Sequence, residues 1–407
     1  IIGKKATINS DTILYFQDAV LTELNSIKSI PNSFLDTGGL KIYTTLDMNA
    51  QSSLEQSIKE NLKNNEEVQT SGIMIDPKTG NIIALVGGKD YSTSQYNRAT
   101  KSLRQVGSTM KPFLYYAALE NGFTSSTSFT SEQTTFAFSN KDSYSPKNAN
   151  EIYGHKPISL AAAIAYSENI YAIKTHMFLG EDTLVNMAKR LGITAKLPEI
   201  PSLPLGTSEI GIIEMASAYS VFANNGYKNR PHLITKIEDI NGNVLYEFKE
   251  TEELVLNPSL TYILNELLTT TYDSSFIDYN YPTIINVAGR LSRKYSVKSG
   301  TTATDTWTIG YTPQIVTAIW VGYDDAREID KSLYASSKNI WADTMEVFLK
   351  DKEKVWFDMP SNVVGVLVDP ISGKPATANS AKKKVLYYLK GTEPTGDEMV
   401  FDEKLEN

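Results

Sequence analysis

The stretch Gly107-Ser108-Thr109-Met110-Lys111-Pro112 places a serine and a lysine three residues apart. Residues at this spacing lie on one face of a helix, so the Lys111 amine can take the proton of the Ser108 hydroxyl. A serine activated in this way attacks carbonyl carbons. The spacing therefore indicates acyl transfer through a serine ester.

The apolar residues that follow recur at helical spacing and predict a helix that has Ser108 at its start and stops near Asn121-Gly122. Backbone N–H groups without helical partners lie at such a start and can stabilise an oxyanion. Lys111 can act as a base only if its pKa falls, which burial beside a second cation would achieve. Another lysine is therefore expected nearby.

A serine and a lysine at this spacing also occur by chance on solvated helices, so a second segment matters. Ser167-Glu168-Asn169 lies between two apolar segments that both favour helix. Residues two apart on one helix do not face each other, so Ser167 and Asn169 can share a site only from a turn between two helices. The alternative is that Asn169 only caps the second helix.

The third segment is Lys298-Ser299-Gly300-Thr301-Thr302, within residues 295–310, where β-branched and aromatic residues favour a strand. Alternation places Ser299 and Thr301 on one side, where their hydroxyls can hold a carboxylate of an extended substrate that pairs with the strand edge. Gly300 leaves room beside Lys298. Lys298 can then reach the Ser167 hydroxyl and supply the second cation.

Taken together and in this order, the three segments resemble the signature of the penicillin-binding protein and serine β-lactamase superfamily. Residues 72–88, 97–108 and 305–313 are similar to the transpeptidase domain of class A, bifunctional, penicillin-binding proteins. Residues 38–47 resemble the linker that follows the glycosyltransferase domain of that class. The similarity extends over most of the chain and is weakest at its two ends.

The resemblance implies an α+β fold, in which an antiparallel sheet is covered by helices and joined to an all-helical lobe, with a small β-rich C-terminal domain. We expect an N-terminal remnant and interdomain linker over residues 1–67, the transpeptidase domain over residues 68–357 and the C-terminal domain over residues 358–407. Strand patterns at both ends of the middle region, with helices between them, agree with this class.

Periodicity and turn residues predict the individual elements. Helices are expected over residues 12–32, 50–62, 209–223 and 258–270, and strands over residues 40–46, 73–76, 82–86, 234–240, 244–248, 304–309, 314–322, 363–368 and 385–389.

The family motifs imply a role for each matching residue. Lys111 would be the general base for Ser108. Ser167, linked to Lys298, would relay a proton to the leaving amine. Asn169 would hold a substrate amide.

The motifs also imply how the substrate is bound. The backbone N–H groups of Ser108 and Thr301 would form the oxyanion hole, and the strand that would bind the substrate carries Ser299, Gly300, Thr301 and Thr302. Many relatives have threonine where this chain has Ser299, a change that keeps the hydroxyl and loses a methyl group. We expect function to survive it.

The implied function is D,D-transpeptidation of peptidoglycan stem peptides ending in D-Ala-D-Ala, by a bifunctional cell-wall synthase whose Ser108 is acylated by β-lactams. Neither a cofactor nor a metal is expected. Since the family carries a membrane helix and a glycosyltransferase domain ahead of this region, the resemblance implies a fragment whose anchor, at the extracytoplasmic face of the bacterial membrane, precedes Ile1. Other cell-wall synthesis proteins are candidate partners.

Composition excludes several other classes. The net charge of -8 argues against a nucleic-acid partner, and the absence of cysteine excludes thiolate chemistry. The histidines lie far apart in sequence, which argues against a histidine metal site or a Ser-His-Asp triad; they are His155, His176 and His232.

Three other interpretations stay open. A serine β-lactamase or a D,D-carboxypeptidase shares the serine chemistry, but a lactamase also needs a glutamate that activates water. Glu168 is in the wrong place for that role, and Glu199 and Glu209 lie in no helper motif. A non-catalytic cell-wall sensor module would keep the fold, although retention of all three motifs argues against it.

Overall fold

The computed structural model describes residues 13–30, 39–137 and 143–396. Residues 1–12 and 31–38 of the predicted N-terminal remnant and linker lie outside these ranges, as do residues 138–142 and the last eleven residues of the chain. Of the helix predicted over residues 12–32, the described part is a helix from Leu14 to Ser26.

The α-helices of the described residues are short to medium in length. In chain order they are α1 Leu14–Ser26, α2 Met48–Leu62, α3 Arg98–Lys101, α4 Lys111–Glu120, α5 Leu160–Tyr166, α6 Asn169–Leu179, α7 Glu181–Arg190, α8 Ile212–Ala223, α9 Pro258–Leu267 and α10 Ser336–Leu349.

The strands fall into one large sheet and several two- or three-stranded ones. They are β1 Lys41–Thr44, β2 Gln69–Ile75, β3 Ile82–Val86, β4 Arg104–Gln105, β5 Ser128–Thr130, β6 Phe136–Ala137, β7 Ser143–Tyr144, β8 Pro157–Ser159, β9 Glu209–Ile210, β10 Tyr227–Lys228, β11 Ile234–Glu238, β12 Val244–Glu247, β13 Glu253–Leu254, β14 Ser296–Thr301, β15 Asp305–Thr312, β16 Ile315–Gly322, β17 Val363–Val368 and β18 Lys384–Leu389.

The large sheet joins strands from the two ends of the predicted transpeptidase domain. Its order is β14-β15-β16-β2-β3, and every neighbouring pair is antiparallel. The junction is the pairing of β16 with β2, in which Ile319 lies opposite Gly72. β14, which carries the Lys298 segment, is therefore an edge strand.

Helices cover both faces of this sheet, so every residue of β15 and β16 is buried. On one face, Gly310 of β15 lies against the indole of Trp341 from α10, and Gly72 of β2 lies against Leu54 from α2. On the other face, the ring of Tyr311 packs edge-on against Tyr219 of α8 at 6.2 Å. This is the helix-covered antiparallel sheet that the α+β prediction described.

A helical lobe adjoins the sheet on the side of β14. All seven residues of α5 and nine of the ten residues of α4 are buried. A helix that is apolar all round must lie inside the protein, and the alanine-rich sequence of α5 allows neighbouring helices to approach closely. The three sequence motifs lie where this lobe meets the edge strand β14.

Several element boundaries differ from the predicted ones. The helix predicted over residues 209–223 begins at Ile212, because Glu209–Ile210 pair with Arg104–Gln105 as a short antiparallel ladder. The helix predicted over residues 258–270 ends at Leu267 and continues as a 3-10 helix, Leu268–Tyr272.

The C-terminal hairpin of β17 and β18 docks on the helical lobe through hydroxyl groups. Ser126 donates to the Gly373 carbonyl oxygen at 2.6 Å, and Ser159 donates to the Pro370 carbonyl oxygen at 2.8 Å. The boundary at residue 358 remains a prediction.

Within the described ranges, no helix combines the length and the apolar character needed to cross a bilayer.

The contact between β15 and α10 predicts a stability difference between two glycine variants. A Cβ at Gly310 would lie 2.4 Å from Trp341, whereas a Cβ at Gly289 would have nothing within 4 Å. Gly310→Ala should therefore cost about 1–3 kcal/mol through overpacking and lower the melting temperature by several degrees. Gly289→Ala should leave it unchanged or slightly higher. Thermal unfolding followed by circular dichroism tests this, and equal melting temperatures would contradict the packing.

Candidate active site

Ser108 lies in a short 3-10 helix, Gly107–Met110, that leads directly into α4 at Lys111. Side chains three apart eclipse each other in a 3-10 helix, so Ser108 and Lys111 follow one another along a single edge. Ser108 is partly exposed and Lys111 is fully buried. A substrate can therefore reach the hydroxyl, while the amine is kept from water.

Strand β14 passes directly beside this turn, and two glycines allow the close approach. A Cβ at Gly300 would lie 2.6 Å from the Val106 carbonyl oxygen and 3.1 Å from the Ser108 nitrogen. A Cβ at Gly107, which has a φ of +57°, would lie 3.1 Å from the Thr301 nitrogen. The two backbone nitrogens expected for the oxyanion hole are thus brought to the same end of the site.

The Lys111 amine is surrounded by oxygen atoms of the Ser167-Glu168-Asn169 turn. It donates to the Ser167 carbonyl oxygen at 2.6 Å, to Asn169 Oδ1 at 2.7 Å and to the Glu168 carbonyl oxygen at 3.2 Å. These acceptors match the three protons of an ammonium group. A neutral Lys111 must give up one of these bonds, and its nitrogen then has a lone pair that can accept a proton.

The turn between α5 and α6 is held in an unusual backbone conformation. Ser167 has φ 57° and ψ 43°, a left-handed geometry that costs energy for a residue with a side chain. This conformation ends α5, and α6 starts two residues later at Asn169. It also directs both the carbonyl oxygen and the hydroxyl of Ser167 towards lysine amines.

Lys298 approaches the same hydroxyl from the sheet. Its amine donates to Ser167 Oγ at 2.8 Å and to the Ser299 carbonyl oxygen at 2.7 Å. Lys111 Nζ lies 3.4 Å from that Oγ. The Ser167 hydroxyl therefore lies between two buried amines that belong to different parts of the fold.

Burial controls the charge of both amines. Burial lowers the pKa of Lys111 to about 7, against the opposing effect of the Glu168 carboxylate. Burial also holds the pKa of Lys298 well below its ordinary value, and the positive charges of Lys111 and Lys338 lower it further. Burial likewise lowers the pKa of Lys338. The buried amine of Lys111 can therefore gain or lose a proton near neutral pH.

The other predicted site residues occupy distinct environments. Asn169 uses both ends of its amide, since Nδ2 donates to the Lys147 carbonyl oxygen at 2.8 Å. On β14, Ser299 is buried and Thr301 is exposed. The Thr302 hydroxyl accepts the Asp305 N–H at 3.0 Å and donates to Asp305 Oδ2 at 3.2 Å, so it orders the hairpin turn.

Two further hydrogen bonds at the site were not expected from the sequence motifs. Trp307 Nε1 donates to the Gln105 carbonyl oxygen at 2.9 Å, and the Tyr219 hydroxyl donates to the Thr109 carbonyl oxygen at 2.7 Å. Both bonds hold the turn that carries Ser108. Their partners are about 100 or more residues away in sequence, so no local pattern indicates them.

Comparisons with known proteins give two matches to protein families. Residues 70–346 match the penicillin binding protein transpeptidase domain, and residues 359–399 match the C-terminal domain of penicillin-binding protein 1A. The chain is 42% identical over 382 residues to penicillin-binding protein 2D of Bacillus subtilis, covering 93% of this chain and 55% of that protein. It is 34% identical to penicillin-binding protein 1A of Aquifex aeolicus, covering 81% of this chain and 44% of that protein. The chain thus spans about half the length of these relatives.

Solved structures share the fold at low sequence identity. The structure of penicillin-binding protein 1A from Haemophilus influenzae aligns with a TM-score of 0.84 at 22% identity, covering 94% of this chain and 76% of that one. PonA1 from Mycobacterium tuberculosis, in complex with penicillin V, aligns with a TM-score of 0.74 at 24% identity, covering 86% of this chain and 96% of that one.

The lowered pKa of Lys111 predicts a pH dependence of stability. Its pKa falls from 10.5 to about 7 on folding, so the unfolded chain binds more protons between these values. The cost of burying the charge is full below about pH 7 and is relieved as pH rises towards 10, which adds up to about 1.4 kcal/mol per pH unit to the free energy of unfolding.

Lys111→Met should remove the contribution of Lys111 to the slope of unfolding free energy against pH. Urea unfolding at several pH values between about 7.5 and 9.5 measures it, with the exposed Lys101→Met as the matched control. Parallel slopes for the wild type and both variants would mean that Lys111 keeps its ordinary pKa.

Proposed function

Because the chain belongs to the class A penicillin-binding proteins through its transpeptidase domain, we propose that it is a D,D-transpeptidase that cross-links peptidoglycan stem peptides through a serine ester. The observation that carries this proposal is the Ser167 hydroxyl between the amines of Lys298, at 2.8 Å, and Lys111, at 3.4 Å. That arrangement adjoins the turn of Ser108. With Ser108 as the proposed nucleophile in the adjoining 3-10 helix, Lys111 can act as the base and Ser167 as the proton relay.

In the proposed first step, Ser108 Oγ attacks the carbonyl carbon of the penultimate D-Ala, and its proton passes to neutral Lys111. The N–H groups of Ser108 and Thr301 stabilise the oxyanion. The C–N bond to the terminal D-Ala then breaks. The leaving amine takes a proton from Ser167, which regains one from Lys111, while Lys298 keeps the Ser167 hydroxyl oriented.

In the second step an amine of a neighbouring stem peptide attacks the ester carbonyl. As the new C–N bond forms, the ester bond between the acyl carbon and Ser108 Oγ breaks, and the amine proton returns along the same relay to Ser108 Oγ. The new amide bond is the cross-link. The substrate lies along the edge of β14, where it can add as a further strand. Before the terminal D-Ala leaves in the first step, Ser299 and Thr301 are the proposed contacts for its carboxylate.

We place this reaction at the extracytoplasmic face of a bacterial membrane, in a parent protein that also has peptidoglycan glycosyltransferase activity. Other cell-wall synthesis proteins are the proposed partners. Family membership supports this setting.

Fluorescent penicillin tests the serine ester directly. The wild type should form a covalent adduct that survives denaturing electrophoresis, because the strained lactam amide mimics the peptide bond of D-Ala-D-Ala. Ser108→Ala should form none, since the attacking oxygen is lost. Rapid release of the label would instead indicate a β-lactamase, and a folded wild type without any adduct would indicate a non-catalytic module.

Incubation with stem peptides separates the remaining alternative. A transpeptidase releases D-Ala and forms a cross-linked product when an acceptor amine is present. Release of D-Ala without cross-linked product would point to a carboxypeptidase.

The pKa of Lys111 predicts how acylation depends on pH. Only the neutral amine can accept the Ser108 proton, so the second-order rate constant for penicillin should rise through about pH 7 and level off above it. Lys111→Met should lower the rate by about 10²–10⁴-fold and remove this rise. Stopped-flow labelling measures both, with Lys101→Met as control. A flat profile in the wild type would exclude Lys111 as the base.

A further inference from the structure

Glu168, the middle residue of the second motif, carries a carboxylate that is buried and fully engaged. The residue is 3% exposed. Oε1 accepts from Asn148 Nδ2 at 2.7 Å and from the Ser131 hydroxyl, and Oε2 accepts from the Tyr171 N–H at 3.0 Å. The carboxylate therefore caps the first turn of α6, where negative charge is favoured.

Asn148 completes this cap. Its Oδ1 accepts from the N–H groups of Asn169, at 2.9 Å, and Ile170, at 3.1 Å. Asn148 is thereby fixed in the orientation that points Nδ2 at Glu168, because the reverse orientation would place two donors against the helix N-terminus. The pair Glu168 and Asn148 determines where α6 begins, and with it the position of Asn169.

Three donors converge on the Glu168 side chain, and only an acceptor-only group satisfies them all. A glutamine would present an NH₂ group to either the Tyr171 N–H or Asn148 Nδ2, leaving a buried donor without an acceptor. The backbone of the same residue faces the other way, since the Glu168 carbonyl oxygen accepts from Lys111 Nζ at 3.2 Å. Glu168 therefore links the cap of α6 to the amine of Lys111.

We propose that Glu168 is a positioning residue whose buried carboxylate holds the Ser167-Glu168-Asn169 turn in the geometry that receives the Lys111 amine. This inference rests on the proposed function and deepens it. The Glu168 carboxylate bonds to Ser131, Asn148 and Tyr171 rather than to a reacting group. It acts through Ser167 and Asn169, whose carbonyl and amide oxygens bind the amine at 2.6 and 2.7 Å.

The carboxylate also acts on Lys111 by its charge. It opposes the effect of burial and so keeps the pKa of Lys111 higher than burial alone would leave it. The tyrosines that face it, Tyr115 and Tyr279, stay neutral because burial and the same carboxylate raise their pKa values. Among the described residues, Lys298 is a further titratable group close to Lys111, and its amine reaches the Ser167 hydroxyl from the sheet.

The test compares acylation by fluorescent penicillin across pH in four proteins: wild type, Glu168→Gln, Glu168→Asp and the control Glu132→Gln. Glu132 is exposed, so its variant removes a charge without disturbing the cap. Glu168→Gln should lower the plateau rate constant about tenfold or more, because a buried charge-assisted bond is lost. It should also move the midpoint of the pH profile to lower pH, since the carboxylate no longer supports the protonated amine.

Glu168→Asp retains the charge but shortens the side chain, so the plateau should fall while the midpoint stays near that of the wild type. A residue that only stabilises the fold would lower the plateau in both variants and move neither midpoint, and that result would overturn the inference. Wild-type kinetics in folded Glu168→Gln would overturn it as well. If Glu168→Gln does not fold, the test depends on Glu168→Asp. Wild-type acylation kinetics in Glu168→Asp would then overturn the inference.

Labelling of the wild type in the same series separates this inference from the proposed function. A wild type that penicillin labels, together with unaffected Glu168 variants, leaves the transpeptidase proposal standing and removes the role of Glu168. A wild type that penicillin never labels overturns both.

Discussion

Two lysine amines buried on either side of one serine hydroxyl are the constraint on which this structure depends. Taking an ammonium out of water is costly unless oxygen atoms replace its hydration. The fold supplies them from a turn whose carbonyl oxygens face Lys111 and from the strand backbone beside Lys298. The surrounding helices and sheet keep water away, and the pKa of Lys111 falls as a result.

The site exists only where two structural units meet. The helical lobe provides Lys111 and the Ser167 turn, and the sheet provides Lys298 at its edge strand. Glycine makes the junction tight enough, because a side chain at position 300 would strike the Val106 carbonyl oxygen. A further glycine, Gly206, packs so closely on Gly107 that a Cβ there would overlap its backbone. These glycines are therefore needed for the close approach of the backbone segments around Ser108.

The elements that the sequence predicts well are those whose sequence patterns lie within a few neighbouring residues. The strands over residues 73–76, 82–86, 363–368 and 385–389 were expected from periodicity and turn residues. In the structure the first two pair antiparallel, and so do the last two. The start of the helix predicted at residue 209 was wrong because a distant strand, Arg104–Gln105, takes Glu209–Ile210 into a ladder. Long-range pairing of that kind overrides local propensity.

The sequence alone determined the three motifs, the helical spacing of Ser108 and Lys111, and the need for a turn between Ser167 and Asn169, because each follows from the geometry of one or two neighbouring elements. Only the tertiary structure decided the left-handed backbone of Ser167 and the capping of α6 by Asn148 and Glu168. The sequence suggested that Lys298 can reach the Ser167 hydroxyl, and the packing of the sheet sets the distance at 2.8 Å. Asn148 and Asn169 are 21 residues apart in the chain, and Ser167 and Lys298 are 131 residues apart. Their positions depend on how the lobe packs against the sheet, which no local periodicity specifies.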